Sequence, residues 1–182
     1  PASFYKRDTT LVARELLGTE LRVHTNEGVT SGRITETEAY LGPHDAASHS
    51  TVGRTQRTWH LFGPPGTAYV YFIYGMHWCV NAVTGDDGFG SAVLIRAVQP
   101  IEGIELMRTR RPKSRTDATL TDGPSKLCAA FAIDRRYDGM MLTGKNEISI
   151  NEGLVVPDNE IIVGPRIGIS KAVDWPLRFR TI

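Results

Sequence analysis

Two glutamates spaced two apart, Glu36 and Glu38 in "ITETEAY" (residues 34 to 40), carry the plainest chemistry in this sequence. Side chains on a regular strand alternate between faces. Ile34, Glu36, Glu38 and Tyr40 are then expected on one face, with Thr35, Thr37 and Ala39 on the other. Two carboxylates beside an apolar residue and a tyrosine make a poor core and a poor solvent face. In one reading the glutamates sit at a rim and pair with Arg33 or another base. In the other, one glutamate is a general base at the end of a strand and Tyr40 is the wall of a pocket. A carboxyl group pressed against an aromatic face loses water, its pKa rises, and it becomes suited to acid/base work.

The next candidates lie in "GPHDAASHS" and "YVYFIYGMHWCVN". His44, Asp45 and His49 suggest a metal at first glance. Their spacing does not put two ligands on one helix face and no further ligand is obvious, so no metal is expected. His49 reads either as a capping residue or as a flat ring for stacking. Tyr69, Tyr71, Phe72, Tyr74 and Trp78 crowd around Gly75 and Met76, which fits a core hairpin and also fits a platform for a planar ligand. No G-x-G-x-x-G, G-x-x-x-x-G-K-[ST] or G-x-S-x-G occurs, which disfavours nucleotide-cofactor enzymes and acyl hydrolases. A carboxylate, a set of aromatics and scattered arginines suit a nucleobase attached to phosphates.

The elements that must position these residues belong to a chain of 182 residues, 41% apolar and 23% charged, which suits one domain over residues 1 to 182. No apolar run is long enough to cross a bilayer and no secretion signal opens these residues. Cys79 and Cys128 are far apart and form no disulfide framework, so a reduced, cytoplasmic compartment is expected. The net charge of +1 is uninformative, but "GRTQRTWH" (53 to 60) and "RTRRPKSR" (108 to 115) concentrate bases. Each run reads as a solvated loop alone and as a phosphate-facing side when paired.

A helix is predicted over "DTTLVARELLG", capped by Asp8 and stopped by Gly18. Two strands joined at Asn26-Glu27-Gly28 follow, then a loop from Leu41 to Thr58. The aromatic hairpin and the strand "SAVLIRAV" come next. Pro100 is expected to open a helix, "PIEGIELMRTRR", and "DGPSKLCAAFAI" to form another with Pro124 near its first turn. The C-terminal third reads as short strands and turns. Strands and helices mix without regular alternation, which indicates an α+β fold.

Four segments in this order, "ETEAYLGPHDAASHS", "PPGTAYVYFIYGMHWCVN", "VLIRAVQPIEG" and "DGPSKLCAAFAI", resemble the 3-methyladenine DNA glycosylase family of the alkyladenine type. The resemblance runs from about Asp8 to the C-terminal "PLRF", and the short chain is similar to a bacterial member or a trimmed catalytic core. It implies a single α+β domain with a curved antiparallel sheet, surrounding helices and a protruding β-hairpin. It implies excision of alkylated or deaminated purines (3-methyladenine, 7-methylguanine, hypoxanthine, ethenoadenine) from double-stranded DNA, with water as nucleophile, no cofactor and a monomeric enzyme. A bacterial member would be cytoplasmic and nucleoid-associated, and a eukaryotic one nuclear.

By the same resemblance Glu38 is the catalytic base. Tyr40 and His49 line one face of the extruded base and Tyr71 the other. Asn81 crowds the 2-amino group of normal guanine. Tyr74 enters the minor groove, and Arg96 contacts the backbone near the flipped nucleotide. Met76 and His77 at the hairpin tip, Arg54 and Arg57 in the basic loop, and Lys126 in "GPSK" are further expected DNA contacts. The loop "GRTQRTWH" is one residue shorter than its mammalian counterpart and lacks its proline. Two other readings stay open here. A nucleic-acid-binding module without catalysis would leave Glu38 dispensable. A lyase-type glycosylase would use Lys126 as a Schiff base, although a phosphate contact near a helix start suits that lysine better.

Overall fold

The computed structural model describes residues 1–182. Two short helices, α1 (Ala2–Tyr5) and α2 (Thr9–Glu15), lead into strands β1 (Glu20–Thr25) and β2 (Gly28–Tyr40). Asp8 caps α2 by accepting from the Leu11 N–H at 3.0 Å. The chain reverses after Leu17 at Gly18, whose φ is +85°. Strands β3 (Ala68–Ile73), β4 (His77–Thr84) and β5 (Ser91–Glu102) precede α3 (Ile104–Arg110) and α4 (Pro124–Phe131). Three short strands close the chain: β6 (Ile148–Asn151), β7 (Ile161–Gly164) and β8 (Arg178–Thr181).

The eight strands form one antiparallel sheet with the order β3-β4-β5-β2-β1-β6, and β8 pairs both β2 and β7. This is the expected α+β arrangement. Strand β2 is its spine. One edge of β2 is covered by β1 over Gly28–Arg33 and then by β8 over Glu36–Glu38, while β5 runs along the other edge. The main core unites α2, α3 and α4 with the sheet through Val12, Leu21, Ile34, Ile95, Met107, Leu127, Phe131 and Phe179, all buried.

Two local expectations are corrected. The helix does not open at Pro100. β5 continues through Pro100 to Glu102, and α3 starts only after Gly103, which has φ +75°. Pro100 has no N–H to give a ladder, and it sits beside a register shift between Ser31 and Gly32 where one is not required. A side chain at Gly103 would meet the Val29 carbonyl oxygen at 2.2 Å, so the strand-to-helix corner demands glycine. The second correction concerns alternation in β2. Register shifts against β5 fall between Ile34 and Glu36 and between Glu36 and Thr37. Such irregularities reset which face a side chain takes. Ile34 therefore joins Ala39 in the main core and does not share a face with the glutamates.

Candidate active site

Glu38 sits in the middle of the sheet and has no exposed surface. One carboxylate oxygen accepts from the Ile167 backbone N–H at 2.8 Å and lies 3.3 Å from Arg96 Nη1. The other accepts from the Tyr40 hydroxyl at 2.9 Å. Burial pushes the carboxyl pKa up from its ordinary value, and Arg96, the Ile167 amide and the Tyr40 hydroxyl pull it back only in part. Glu36 is handled differently. Its Oε1 accepts from Arg96 Nε at 3.1 Å and Arg178 Nη1 at 3.0 Å, so it is the ion-paired member of the two. Arg33 reaches only Gln99. The ion-pairing reading describes Glu36, with Arg96 and Arg178 in place of Arg33.

Tyr40, Arg96 and Ile167 also line a cavity of about 600 Å³, so the Glu38 carboxylate lies directly behind its wall. The residues expected to grip a base meet here. His49, Tyr69, Tyr71, Cys79 and Asn81 line the same space. His49 meets Tyr71 edge-on with ring centroids 4.5 Å apart, and its Nδ1 is hydrogen-bonded to the Tyr69 hydroxyl at 3.0 Å. Burial and then the nearby Arg57 guanidinium lower the His49 pKa, which keeps the ring neutral. Burial raises the Tyr40, Tyr69 and Tyr71 hydroxyls, so all three stay protonated.

The strand register sharpens Asn81. It pairs with Tyr69 across the β3–β4 ladder, and Cys79 is the residue opposite Tyr71. The Asn81 amide donates to the Tyr69 carbonyl at 3.0 Å and still lines the cavity. One side chain thus both holds a backbone carbonyl and forms part of the cavity wall.

Tyr74 leaves the alternation of β3, which ends at Ile73. It occupies a left-handed turn with φ +54°, followed by Gly75 at φ +68°. A tyrosine there is strained by roughly 1–2 kcal/mol relative to ordinary backbone. It stands 77% exposed at the mouth of the cavity. Met76 and His77 are exposed at the same tip.

Arg57 lies over the Tyr71 ring at 5.8 Å and donates to the Phe72 carbonyl, while Arg54 stacks on Trp59 at 5.1 Å. Arg96 was expected at the DNA backbone; its observed partners are Glu36 and Glu38 at the cavity wall. Lys126 is on the surface and paired with Asp122, although the adjoining Pro124 and Ser125 at the start of α4 reach the cavity. His44, Asp45 and His49 do not converge: His44 packs near Phe89, and Asp45 is taken by Arg166.

That last pair was not foreseen. Arg166 and Asp45 form a two-toothed ion pair with no exposure on either side chain. Asp45 also accepts from the Leu41 and Ala47 amides at 3.0 and 3.1 Å. Arg166 donates to the Ala39 carbonyl and lies 4.6 Å from the Tyr40 ring centroid. One buried arginine therefore fixes the loop after β2, backs Tyr40, and sets the position of its neighbour Ile167 against Glu38.

With this geometry in place, likeness to known proteins can be read. The methylpurine-DNA glycosylase family matches residues 3–181. A provisionally named 3-methyladenine DNA glycosylase from Methanocella arvoryzae is 46% identical over 178 residues, spanning 98% of this chain and 88% of that protein. Proteins of the same provisional name from Carboxydothermus hydrogenoformans and Methanoculleus marisnigri are 45% and 48% identical, each spanning 98% of this chain and 93% of theirs. The chain belongs to the methylpurine-DNA glycosylase family. It is a DNA glycosylase, an enzyme that hydrolyses N-glycosyl bonds and whose substrate is DNA. No helix is long and apolar enough to cross a membrane.

Proposed function

We propose that this enzyme removes alkylated or deaminated purines, such as 3-methyladenine, 7-methylguanine, hypoxanthine and ethenoadenine, from double-stranded DNA and leaves an abasic site. The observation that carries the reading is the buried, pKa-raised Glu38 directly behind a cavity walled by Tyr40, His49 and Tyr71. A base inside a duplex is out of reach, so the nucleotide must swing out, at a cost of a few kcal/mol. Tyr74 at the tip fills the vacated space and holds the gap open. The base enters beside Tyr71 and Tyr40 once His49, which packs edge-on against Tyr71 at 4.5 Å, moves aside. Many alkylated purines are cationic, and aromatic walls favour cations by ~0.5–2 kcal/mol.

Glu38 then takes a proton from water, whose oxygen bonds to C1′ of the sugar. The C–N bond electrons leave with the purine, which neutralises a cationic lesion, while a neutral purine departs with a proton taken up at a ring nitrogen from solvent. Arg96, between the two glutamates, fixes the Glu38 carboxylate and lends positive charge beside the water. Asn81 narrows the pocket where guanine carries its 2-amino group. The enzyme works as a monomer in the cytoplasm. The test is base release from a set of duplexes, each holding one defined modified purine. Release of alkylated and deaminated purines but not of damaged pyrimidines is expected; no release of any purine would overturn the reading.

A further inference from the structure

The aromatic cavity takes one face of the β3–β4 hairpin: Tyr69, Tyr71 and Ile73 from β3, Cys79 and Asn81 from β4. The other face of the same two strands is not featureless. Val70, Phe72 and Trp78 floor a depression of about 340 Å³ there. It continues, through the shared Gln56, Arg135 and Asp138, into a second depression of about 530 Å³ that holds Arg54 and Trp59. Because β3 is the edge strand of the sheet, the loop carrying Arg54 to Trp59 wraps around it and contributes to both faces.

The arginines of this groove hold no carboxylate. Arg7, Arg14, Arg22, Arg108, Arg110, Arg136 and Arg178 each hold a carboxylate. Arg54 and Arg57 instead donate only to the Phe62 and Phe72 carbonyls, and the exposed Arg135 side chain holds no partner. The single carboxylate of the groove, Asp138, spends one oxygen on the Val70 N–H at 2.8 Å and the other on His60 Nδ1 at 2.8 Å. Three guanidinium groups are thus left facing a groove with exposed aromatic surface at Trp59 and Phe72. Guanidinium groups over aromatic surface are the chemistry that grips a nucleic-acid backbone.

We propose that this groove is a second DNA track, which holds the sugar-phosphate backbone of the lesion-bearing duplex on the side of the hairpin away from the base cavity. Arg135 and Gln56 are its central residues. The proposal rests on the DNA reading above. A duplex entered by Tyr74 at the tip straddles the hairpin, so backbone on one side passes the cavity mouth and backbone on the other meets Arg54, Arg57 and Arg135. The track would keep the duplex pressed against the wedge while the base is out of the stack.

The test is the salt dependence of binding to a lesion duplex extended on both sides. Each phosphate neutralised adds ~0.9 to the slope of log K against log salt. Arg135→Gln should weaken binding several-fold and flatten the slope by about one. Arg135→Lys should restore most of the slope. Arg136→Gln alters the neighbouring arginine, already paired with Asp134, and should leave the slope in place. Equal slopes for wild type and Arg135→Gln would overturn the proposal, and so would equal losses for Arg135→Gln and Arg136→Gln. If the wild-type protein neither binds nor cleaves any lesion duplex, the DNA reading itself fails, which is a different result.

Discussion

The backbone N–H of Ile167 donates to Glu38 Oε1 at 2.8 Å, joining residues 129 positions apart in the chain. Glu38 is thereby oriented by the segment that Arg166 anchors to Asp45. The acidity of the carboxyl is set by what that contact, Arg96 and Tyr40 withdraw from the cost of burial.

The pH dependence of excision follows. Glu38 acts as a base only when ionised, and its pKa in the folded enzyme is raised. The acid limb of the rate profile should therefore lie above the ordinary carboxylate range. The Tyr40 hydroxyl stabilises the ionised form, so Tyr40→Phe should move the limb to still higher pH. Single-turnover rates from pH 4 to 9 on a cationic lesion check both; a limb that stays put or falls in Tyr40→Phe contradicts the assignment.

Tyr74→Ser should weaken excision from duplex DNA far more than from a single strand, where no partner base pulls the nucleotide back. Tyr74 is exposed and serine keeps the same backbone strain, so thermal stability should barely change. Equal losses on both substrates would make Tyr74 part of the pocket wall alone.

Asn81→Ser shortens the side chain at the cavity and releases the Tyr69 carbonyl, at a stability cost of about 1 kcal/mol. Release of undamaged guanine should rise relative to hypoxanthine in a paired comparison. A proportional fall on every substrate would leave Asn81 with only its backbone role.

The Asp45–Arg166 pair should dominate the stability of the site. Burial raises the Asp45 pKa, but the Arg166 hydrogen bonds and the Leu41 and Ala47 amides outweigh it and hold the pKa below its usual value. Its contribution is present above the unfolded-state pKa and is lost as pH falls through the lower folded-state value. Arg166→Met leaves Asp45 buried and uncompensated and should cost ~3–5 kcal/mol at pH 7. Denaturant melts should show that cost shrinking as the pH drops through the carboxylate range; a constant cost contradicts the assignment.

Local pattern made part of this legible. The tyrosines crowded around Gly75 and Met76 marked the hairpin, and its glycine marked the turn that carries Tyr74. The order of four motifs pointed to the family. Local pattern failed where a long-range partner decided the outcome. The shifts against β5 moved Ile34 into the core, and a register shift made room for Pro100 in a strand. The sequence around Pro165, Arg166, Ile167 and Gly168 has no periodicity to announce it. Its meaning lies in Asp45 and Glu38, more than a hundred residues away, and only the folded chain brings them together.

The central claim is that Glu38 is the base that activates water. Glu38→Gln keeps the shape and removes the charge. Since the buried carboxyl favours its protonated form, the variant should be folded and at least as stable as wild type at pH 8. The decisive measurement is base release by Glu38→Gln beside Glu36→Gln, with lesion-duplex affinity measured on both. The account predicts retained affinity and a loss of at least ~10²–10⁴-fold in release for Glu38→Gln, against a smaller loss for Glu36→Gln. Near-normal release by Glu38→Gln, with Glu36→Gln the crippled variant, would contradict it.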